Sequence, residues 1–380
     1  MVFDSFNWLF FGVLTLMNFL VLGRLRLALS YFSGAYFVYT YSTTSFAILF
    51  PVALLIIGPY LFQESELRNQ INGFLWLLAW VLYYFFVNNY DFDHSNYFPY
   101  EILVLGAYNL ARFYHVFKDL NFLRLKGPKW DEILAYLFFP PILFCGPLEK
   151  IQEFLRFYRN PTPIHSIDFK GAGRLFMHAI FQGAIAEFCS SALTPELIDF
   201  SQISLIPMIV YILGIGWEIH FRLSSYINFT RGFAWLMGYH FEKPNFQSPY
   251  SARSVAGFWS RWNMSLSRWT REYLFYGNIE DFNIKRVAIV LSLFWCLVGI
   301  LHGISWHYFS WGLLMGSTIL FNFAYIYARY HWDWLMKFDM QFIPLFLKRF
   351  MTITWIHASC ILLVPECEDI INSLYRILFL

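Results

Sequence analysis

Between Val287 and Ala328 the sequence runs 42 positions without a single Asp, Glu, Lys or Arg. About 20 mostly apolar residues are enough for a helix to cross a bilayer, so this stretch has room for two crossings. Similar apolar runs recur along the 380-residue chain, at 7–23, 44–62, 73–88, 98–117, 132–146, 173–193, 203–221, 287–303, 306–327 and 350–364, with a shorter one at 370–380. Segment 28–43 is aromatic and amphipathic, and suits either a span or the membrane interface. Only 14% of the residues are charged against 58% hydrophobic, too few charges to solvate a soluble globule of this length. The same composition excludes disorder. The expected class is all-α, a polytopic membrane helical bundle of about nine to eleven spans. In lipid the backbone groups must be satisfied within each segment, and no alternating barrel pattern is present.

The acidic Asp4 and the lack of a basic leader make 7–23 a retained anchor by this reading. Polar stretches are short, so 1–380 reads as a single integral membrane domain. Basic residues in 118–131 (Lys118, Arg124, Lys126, Lys129) and 147–172 (Lys150, Arg156, Arg159, Lys170) suggest that these loops face the cytoplasm. A net charge of +2 gives no nucleic-acid footprint. Cys145, Cys189, Cys296, Cys360 and Cys367 are an odd set in mostly apolar surroundings and read as core thiols.

Two segments carry chemistry. Taken as one helix, 250–276 places Trp259, Trp262, Leu266, Trp269, Tyr273 and Tyr276 on one stripe, with Arg261, Ser265, Arg268 and Glu272 on another face. That pattern suits an interfacial helix, aromatics in the headgroup layer and arginines on phosphates. It does not exclude a site, and Asn263 at the border of the stripe is either a packing amide or a functional one. Inside the charge-free stretch lie His302 and His307, in LVGILHGISWHYFSWG. An imidazole at membrane depth is expensive and marks a functional hypothesis; the plainer reading is a hydrogen bond to a neighbouring helix or a place at a hairpin turn. Gly299 and Gly303 flank His302 and permit close approach of backbone or ligand. His307, five residues on, points about 140° away on a helix, so the two make no metal pair. Glu218 and His220 form a second polar spot. DFDH at 91–94 has metal-ligand residue types but no partner cluster, and no metal site is expected.

FWSRWNMSLSRWTREYLF, followed 39 positions after Asn263 by the intramembrane LHG, resembles the membrane-bound O-acyltransferase family. GYHFEKPNFQSPYSARS (238–254), FRLSSYINFTRGFAWLMGYHF (221–241) and FFPPILFCGPLEKIQEF (138–154) resemble other elements of the same family, so the motif core covers 138–320. The nearest branch resembles the bacterial one of alginate O-acetylation and teichoic-acid D-alanyl transfer proteins. The resemblance implies a bundle around a central catalytic chamber open from both membrane faces. It puts the family's essential histidine on His302. The family's second polar position, histidine in much of the bacterial branch and asparagine in many lipid- and peptide-acylating members, falls on Asn263. The sequence departs from the bacterial pattern at Asn263, at Asn228, where aspartate is common, and at Glu149, which follows GPL before the usual basic residue.

The implied chemistry suits those residues. Acyl transfer from a thioester to a hydroxyl needs a base for the alcohol's proton, and a neutral imidazole is such a base. An asparagine amide can donate to the tetrahedral oxyanion, worth ~3 kcal/mol in a dry site, or can orient the imidazole or the acceptor. Ser305 lies close to His302 in sequence, but the GxSxG elbow is absent, so direct transfer is expected. Arg261, Trp262, Arg268, Ser305, Trp306 and Asn228 are candidates for donor or substrate binding, arginines being suited to phosphates.

The expected function is transfer of a short acyl group, acetyl first, to a hydroxyl of a cell-envelope glycan in a bacterial inner membrane. The donor would be acyl-CoA or a phosphopantetheine carrier protein on the cytoplasmic side, with no permanently bound cofactor, and an extracytoplasmic acyltransferase would be a partner. D-alanyl transfer toward teichoic acid and lipid or peptide acylation are the alternatives. A proton-coupled transporter is the rival class. It predicts internal repeats and paired acids in the spans, where only a few such as Glu187 and Glu218 occur.

Overall fold

The computed structural model describes residues 5–20, 24–41, 53, 100–121, 128–143, 146–192, 198–241, 243–273, 284–300, 302, 305–332, 344–364 and 366–379. The expected spans 44–62 (Ala53 apart) and 73–88, the DFDH segment, Gly303 and Tyr276 lie outside the described residues. The described elements are helices, with no strand among them. They divide into two compact units, 1–181 with 225–243, and 182–224 with 244–380.

The first unit begins with α1 (Ser5–Leu20), α2 (Arg24–Tyr41) and α3 (Tyr100–Asn121), and continues through α4 (Trp130–Leu137), α5 (Pro140–Leu143) and α6 (Ile151–Arg159). Segment 28–43, left open between span and interface, is thus helical through Tyr41. The expected span 132–146 is not one helix. Pro140 and Pro141 remove two backbone donors, and the chain breaks into the short α4 and α5. Fully buried Arg112 holds these pieces together, donating to Asn109 Oδ1 at 2.7 Å and to the carbonyls of Ile142 at 3.3 Å and Tyr136 at 2.5 Å. A guanidinium away from water needs such partners, since a lone buried charge is costly; both terminal nitrogens have them, and Nε has none. The unit also takes the first part of α7 (Phe169–Ala192) and the last part of α8 (Leu205–Leu236).

The second unit holds the remaining parts of α7 and α8, then α9 (Val255–Trp259), α10 (Met264–Tyr273), α11 (Ile284–Ile300), α12 (Trp306–His331), α13 (Leu345–Ser359) and α14 (Cys367–Phe379). Its core gathers Met208, Tyr211 and Ile215 with Trp295, Trp311, Met315, Ile356 and Cys367. Helices α11 and α12 form a hairpin whose backbones touch. A Cβ on Gly299 would run into the Tyr308 carbonyl and lie 3.1 Å from Gly312 Cα; one on Gly312 would meet the Trp295 carbonyl. Small residues at a crossing are how membrane helices come this close. The close approach foreseen at Gly299 is therefore by the neighbouring helix.

The outer surfaces suit lipid. Ile206 and Phe321 are both 75% exposed, and Phe188, Leu293, Phe346 and Phe379 face outward as well. Soluble monomers rarely expose apolar surface so extensively. The stretches Leu205–Leu236 and Leu345–Leu363 are long and apolar enough to cross a membrane, and Leu9–Leu20 and Ala288–Ile300 are shorter apolar helices.

Candidate active site

The segment from Pro249 to Tyr273 is interrupted. A 3-10 turn (Pro249–Ser251), α9 and α10 follow one another, and the chain turns at Ser260–Asn263. The single stripe expected over 250–276 is therefore broken: Trp259 ends α9, Trp262 belongs to the turn, and Trp269 and Tyr273 belong to α10. Ser265, assigned to a polar face with Arg261, is fully buried, whereas Arg261 is exposed.

The break is built on Asn263, whose φ of 44° is left-handed. Asparagine, aspartate and histidine tolerate that region better than other side chains with a Cβ. Asn263 is 7% exposed, and its carbonyl accepts from Ser267 N at 3.1 Å, starting α10. The unsatisfied amides at the start of that helix are met by a residue from another segment. Asn245 accepts from Met264 N with its carbonyl and from Ser265 N with its side-chain oxygen, both at 2.8 Å. Its amide nitrogen donates to Asn263 Oδ1 at 3.2 Å. A helix N-terminus needs such acceptors. A further strap runs from Gln247 N to the Arg261 carbonyl at 3.0 Å. Asn245 is the site residue that sequence reasoning missed, and no spacing rule points to it.

His302 follows the end of α11. Its Nδ1 lies 2.7 Å from the Val298 carbonyl and its backbone N bonds the Gly299 carbonyl at 2.9 Å. A ring nitrogen facing a carbonyl oxygen carries the proton, so Nε2 keeps the lone pair. The imidazole packs on Trp311 with ring centres 5.2 Å apart. From there a run of rings leads toward Asn263: Trp311 to Trp259 at 6.0 Å, Trp259 to Trp262 at 6.1 Å, then the peptide bond to Asn263. His302 and Asn263 thus belong to one unit and are joined through a tryptophan wall that also includes Trp295, 4.7 Å from Trp259. Trp262 stacks on Phe258 at 5.3 Å and meets His220 at 4.8 Å. His307 turns elsewhere, its Nδ1 at 3.1 Å from the Leu362 carbonyl.

The other candidates are distributed. Arg261, with Arg253, Arg349, Ser251 and Ser254, lines a cavity of about 380 Å³. Arg261 donates to Ser251 Oγ at 3.3 Å, and the Nε of Arg349 is buried without a hydrogen-bond partner. Ser305 caps the start of α12, with Oγ buried and without a partner. Trp306 is exposed and donates to Glu368 Oε1 at 3.3 Å. Arg268 lies half-buried inside α10, and Asn228 half-buried on the part of α8 that belongs to the first unit. Glu218 and His220 do not form one polar spot. Two positions apart on a helix they face different ways: Glu218 pairs with Arg222 at 2.9 Å, while His220 enters an aromatic box. Among the described residues no group of three or more His, Cys, Asp and Glu side chains gathers to hold a metal.

This chain is similar to several bacterial proteins. It is 24% identical over 220 residues to a teichoic acid D-alanyltransferase of Streptococcus thermophilus (53% of this chain, 52% of the relative). It is 26% identical over 236 residues to a peptidoglycan O-acetyltransferase of Helicobacter pylori (60% and 43%). With a probable alginate O-acetylase of Pseudomonas putida it shares 27% over 201 residues (50% and 39%). The chain thus spans about half or less of the length of these relatives. The model of an integral membrane family, the membrane-bound O-acyltransferases, matches residues 35–364, which include both His302 and Asn263. With a match over most of its length, the chain belongs to the membrane-bound O-acyltransferase family.

Proposed function

We propose that this chain is a multi-pass O-acyltransferase of a bacterial inner membrane. It moves a short acyl group, acetyl first, from a thioester to a hydroxyl of a cell-envelope glycan. The observation that carries this reading is the bond from His302 Nδ1 to the Val298 carbonyl. It leaves Nε2 as the basic nitrogen, on a ring held against Trp311. In the transfer, the acceptor oxygen attacks the thioester carbonyl carbon while its proton passes to Nε2. The tetrahedral intermediate then collapses, the carbon–sulfur bond breaks, and the imidazolium returns the proton to the departing thiolate. The amide of Asn263, its orientation fixed by Asn245, stabilises the oxyanion.

The cavity lined by Arg253, Arg261 and Arg349 fits the phosphates of the donor, whether acyl-CoA or a phosphopantetheine carrier, because guanidinium forks pair well with phosphate oxygens. An extracytoplasmic acyltransferase that takes the acyl group onward is the expected partner. D-alanyl transfer uses the same base and the same geometry, and the mass of the ester distinguishes it. The transporter reading loses support because Arg222 lies 2.9 Å from Glu218 and 3.7 Å from Glu187, so neither acid is an isolated proton carrier.

Mass spectrometry of envelope glycans and lipids tests the proposal, in cells with wild type, a deletion, His302→Ala and Asn263→Ala. An ester-linked acyl group lost in the deletion and in His302→Ala, and reduced in Asn263→Ala, supports it. An ester that survives His302→Ala removes His302 as the base, and no ester change on deletion removes the transferase reading.

A further inference from the structure

Two histidines that the transfer step does not use stand on the same aromatic wall as Trp262. His220, on α8, is ringed by Trp262 at 4.8 Å, Tyr250 and Phe221 at 5.0 Å and Phe246 at 5.4 Å. It is 5% exposed, and its Nδ1 is buried without a hydrogen-bond partner. His357, on α13, is 1% exposed. Its Nδ1 faces the Leu213 carbonyl at 2.8 Å, so that nitrogen carries the proton and Nε2 is an acceptor, and this Nε2 too is buried without a partner. The Tyr250 ring stands next to both, 5.0 Å from His220 and 5.8 Å from His357. The seat of His357 is built into α8: a side chain at Gly216 would occupy the space of its ring. Along the same run of rings, the indole nitrogens of Trp259 and Trp311 are two more buried polar atoms without partners.

Buried polar atoms are nearly always paired, and leaving one unpaired is costly. Four of them lie along one run of rings, and an alkyl chain would satisfy none. They suit a ligand with several hydroxyls, each able both to donate and to accept, on a ring whose C–H faces lie against aromatic side chains. A pyranose has both properties. We propose that His220, Tyr250, His357 and Trp262 form a binding subsite for a sugar ring of the acceptor. A sugar hydroxyl donates to His357 Nε2, a second pairs with His220 Nδ1, and the faces of Trp262 and Tyr250 carry the ring. Naming the bound sugar the acceptor rests on the acyl-transfer reading; the capacity to bind hydroxyls does not.

Saturation-transfer NMR on the chain in lipid nanodiscs reads this directly. The probes are a peptidoglycan disaccharide, an alginate trisaccharide and a glycerol phosphate oligomer. The ring protons of at least one of the two sugars should take up saturation in wild type and in His302→Ala. His220→Phe, which keeps the ring and removes its nitrogens, and His357→Gln should each weaken binding about tenfold, the scale of one hydrogen bond. Gly216→Ala leaves both histidines in the sequence but crowds His357, and should weaken binding in the same way if His357→Gln does not fold. Saturation of neither sugar, equal signals in wild type, His220→Phe and Gly216→Ala, or displacement of the sugar by n-octanol overturns the subsite and leaves a wall wetted by water or filled by an alkyl group. If binding behaves as expected while the cellular ester survives His302→Ala, the transfer reading falls and the hydroxyl site remains.

Discussion

Asn245 grips Asn263 and the helix behind it at once. Its amide nitrogen reaches Asn263 Oδ1 at 3.2 Å, and its two oxygens take the first amides of α10 at 2.8 Å. One residue, 2% exposed and 18 positions upstream, therefore sets both where the helix begins and which way the Asn263 amide lies.

Asn245→Ala should act on the reaction through Asn263. The two side-chain bonds are lost, to the Ser265 amide and to Asn263 Oδ1, while the backbone carbonyl still takes Met264 N; with a buried donor left open, the folded state should lose about 1–3 kcal/mol. A purely structural role would lower the melting temperature and leave the folded fraction fully active. A positioning role lowers kcat as well, with the KM for donor unchanged, and kinetics on protein purified well below its melting point separates the two.

At position 263 stability and activity should part company. Glycine adopts a left-handed φ freely, whereas alanine there costs about 1 kcal/mol. Asn263→Gly should therefore melt above Asn263→Ala, yet both should transfer poorly for want of a donor. Asn263→His keeps a backbone preference that fits and a polar ring, and should retain more activity than either. Melting curves and ester yield on one set of membranes check both orders.

His302→Asn should remove the base and spare the fold. The asparagine nitrogen can still donate to the Val298 carbonyl, which His302 Nδ1 meets at 2.7 Å. Loss of general-base catalysis should lower the transfer rate by about 10²–10⁴-fold, with a melting temperature close to wild type.

Substitution of Gly312 by valine should be among the most damaging changes to the fold of the second unit. The added carbons meet the Trp295 carbonyl on α11, and overpacking of this kind costs about 1–3 kcal/mol or more. Detergent-solubilised protein should melt lower, and Gly312→Ala should fall between wild type and valine.

Arg349→Ala and Arg253→Ala should raise the KM for an acyl-CoA donor and leave the rate at saturating donor nearly intact, since the cavity they line does not include His302 or Asn263. Added salt should weaken wild-type donor binding more than that of either variant. An unchanged KM would remove this cavity from the donor path.

The long helices were legible because apolar length is a local property: α7, α11 and α12 lie within a few residues of the runs that foretold them. His302 stood out as an imidazole in a charge-free stretch, and Asn263 through its motif. The break before α10 was hidden, because it depends on a left-handed residue held by an asparagine from another segment. Asn245 sits in a polar stretch where one more amide carries no signal. His357 was more accessible. It lies within the apolar run 350–364, and the reasoning that singled out His302 applies to it equally. The break at Pro140–Pro141 was visible in the letters, yet apolar character there outweighed the missing donors.

The contact between Gly299 and Gly312 has a dynamic consequence. Two helices whose backbones touch have no cushion of side chains to slide on, so α11 and α12 should travel as a single stiff post. The His302 imidazole, the base of the proposed transfer, follows the end of α11 at the tip of that post. Any breathing that lets a donor in or a product out then falls to the segments that carry Trp262 and His357. In hydrogen exchange, the amides of the α11–α12 crossing should be the slowest in their unit, and those of α9 among the fastest.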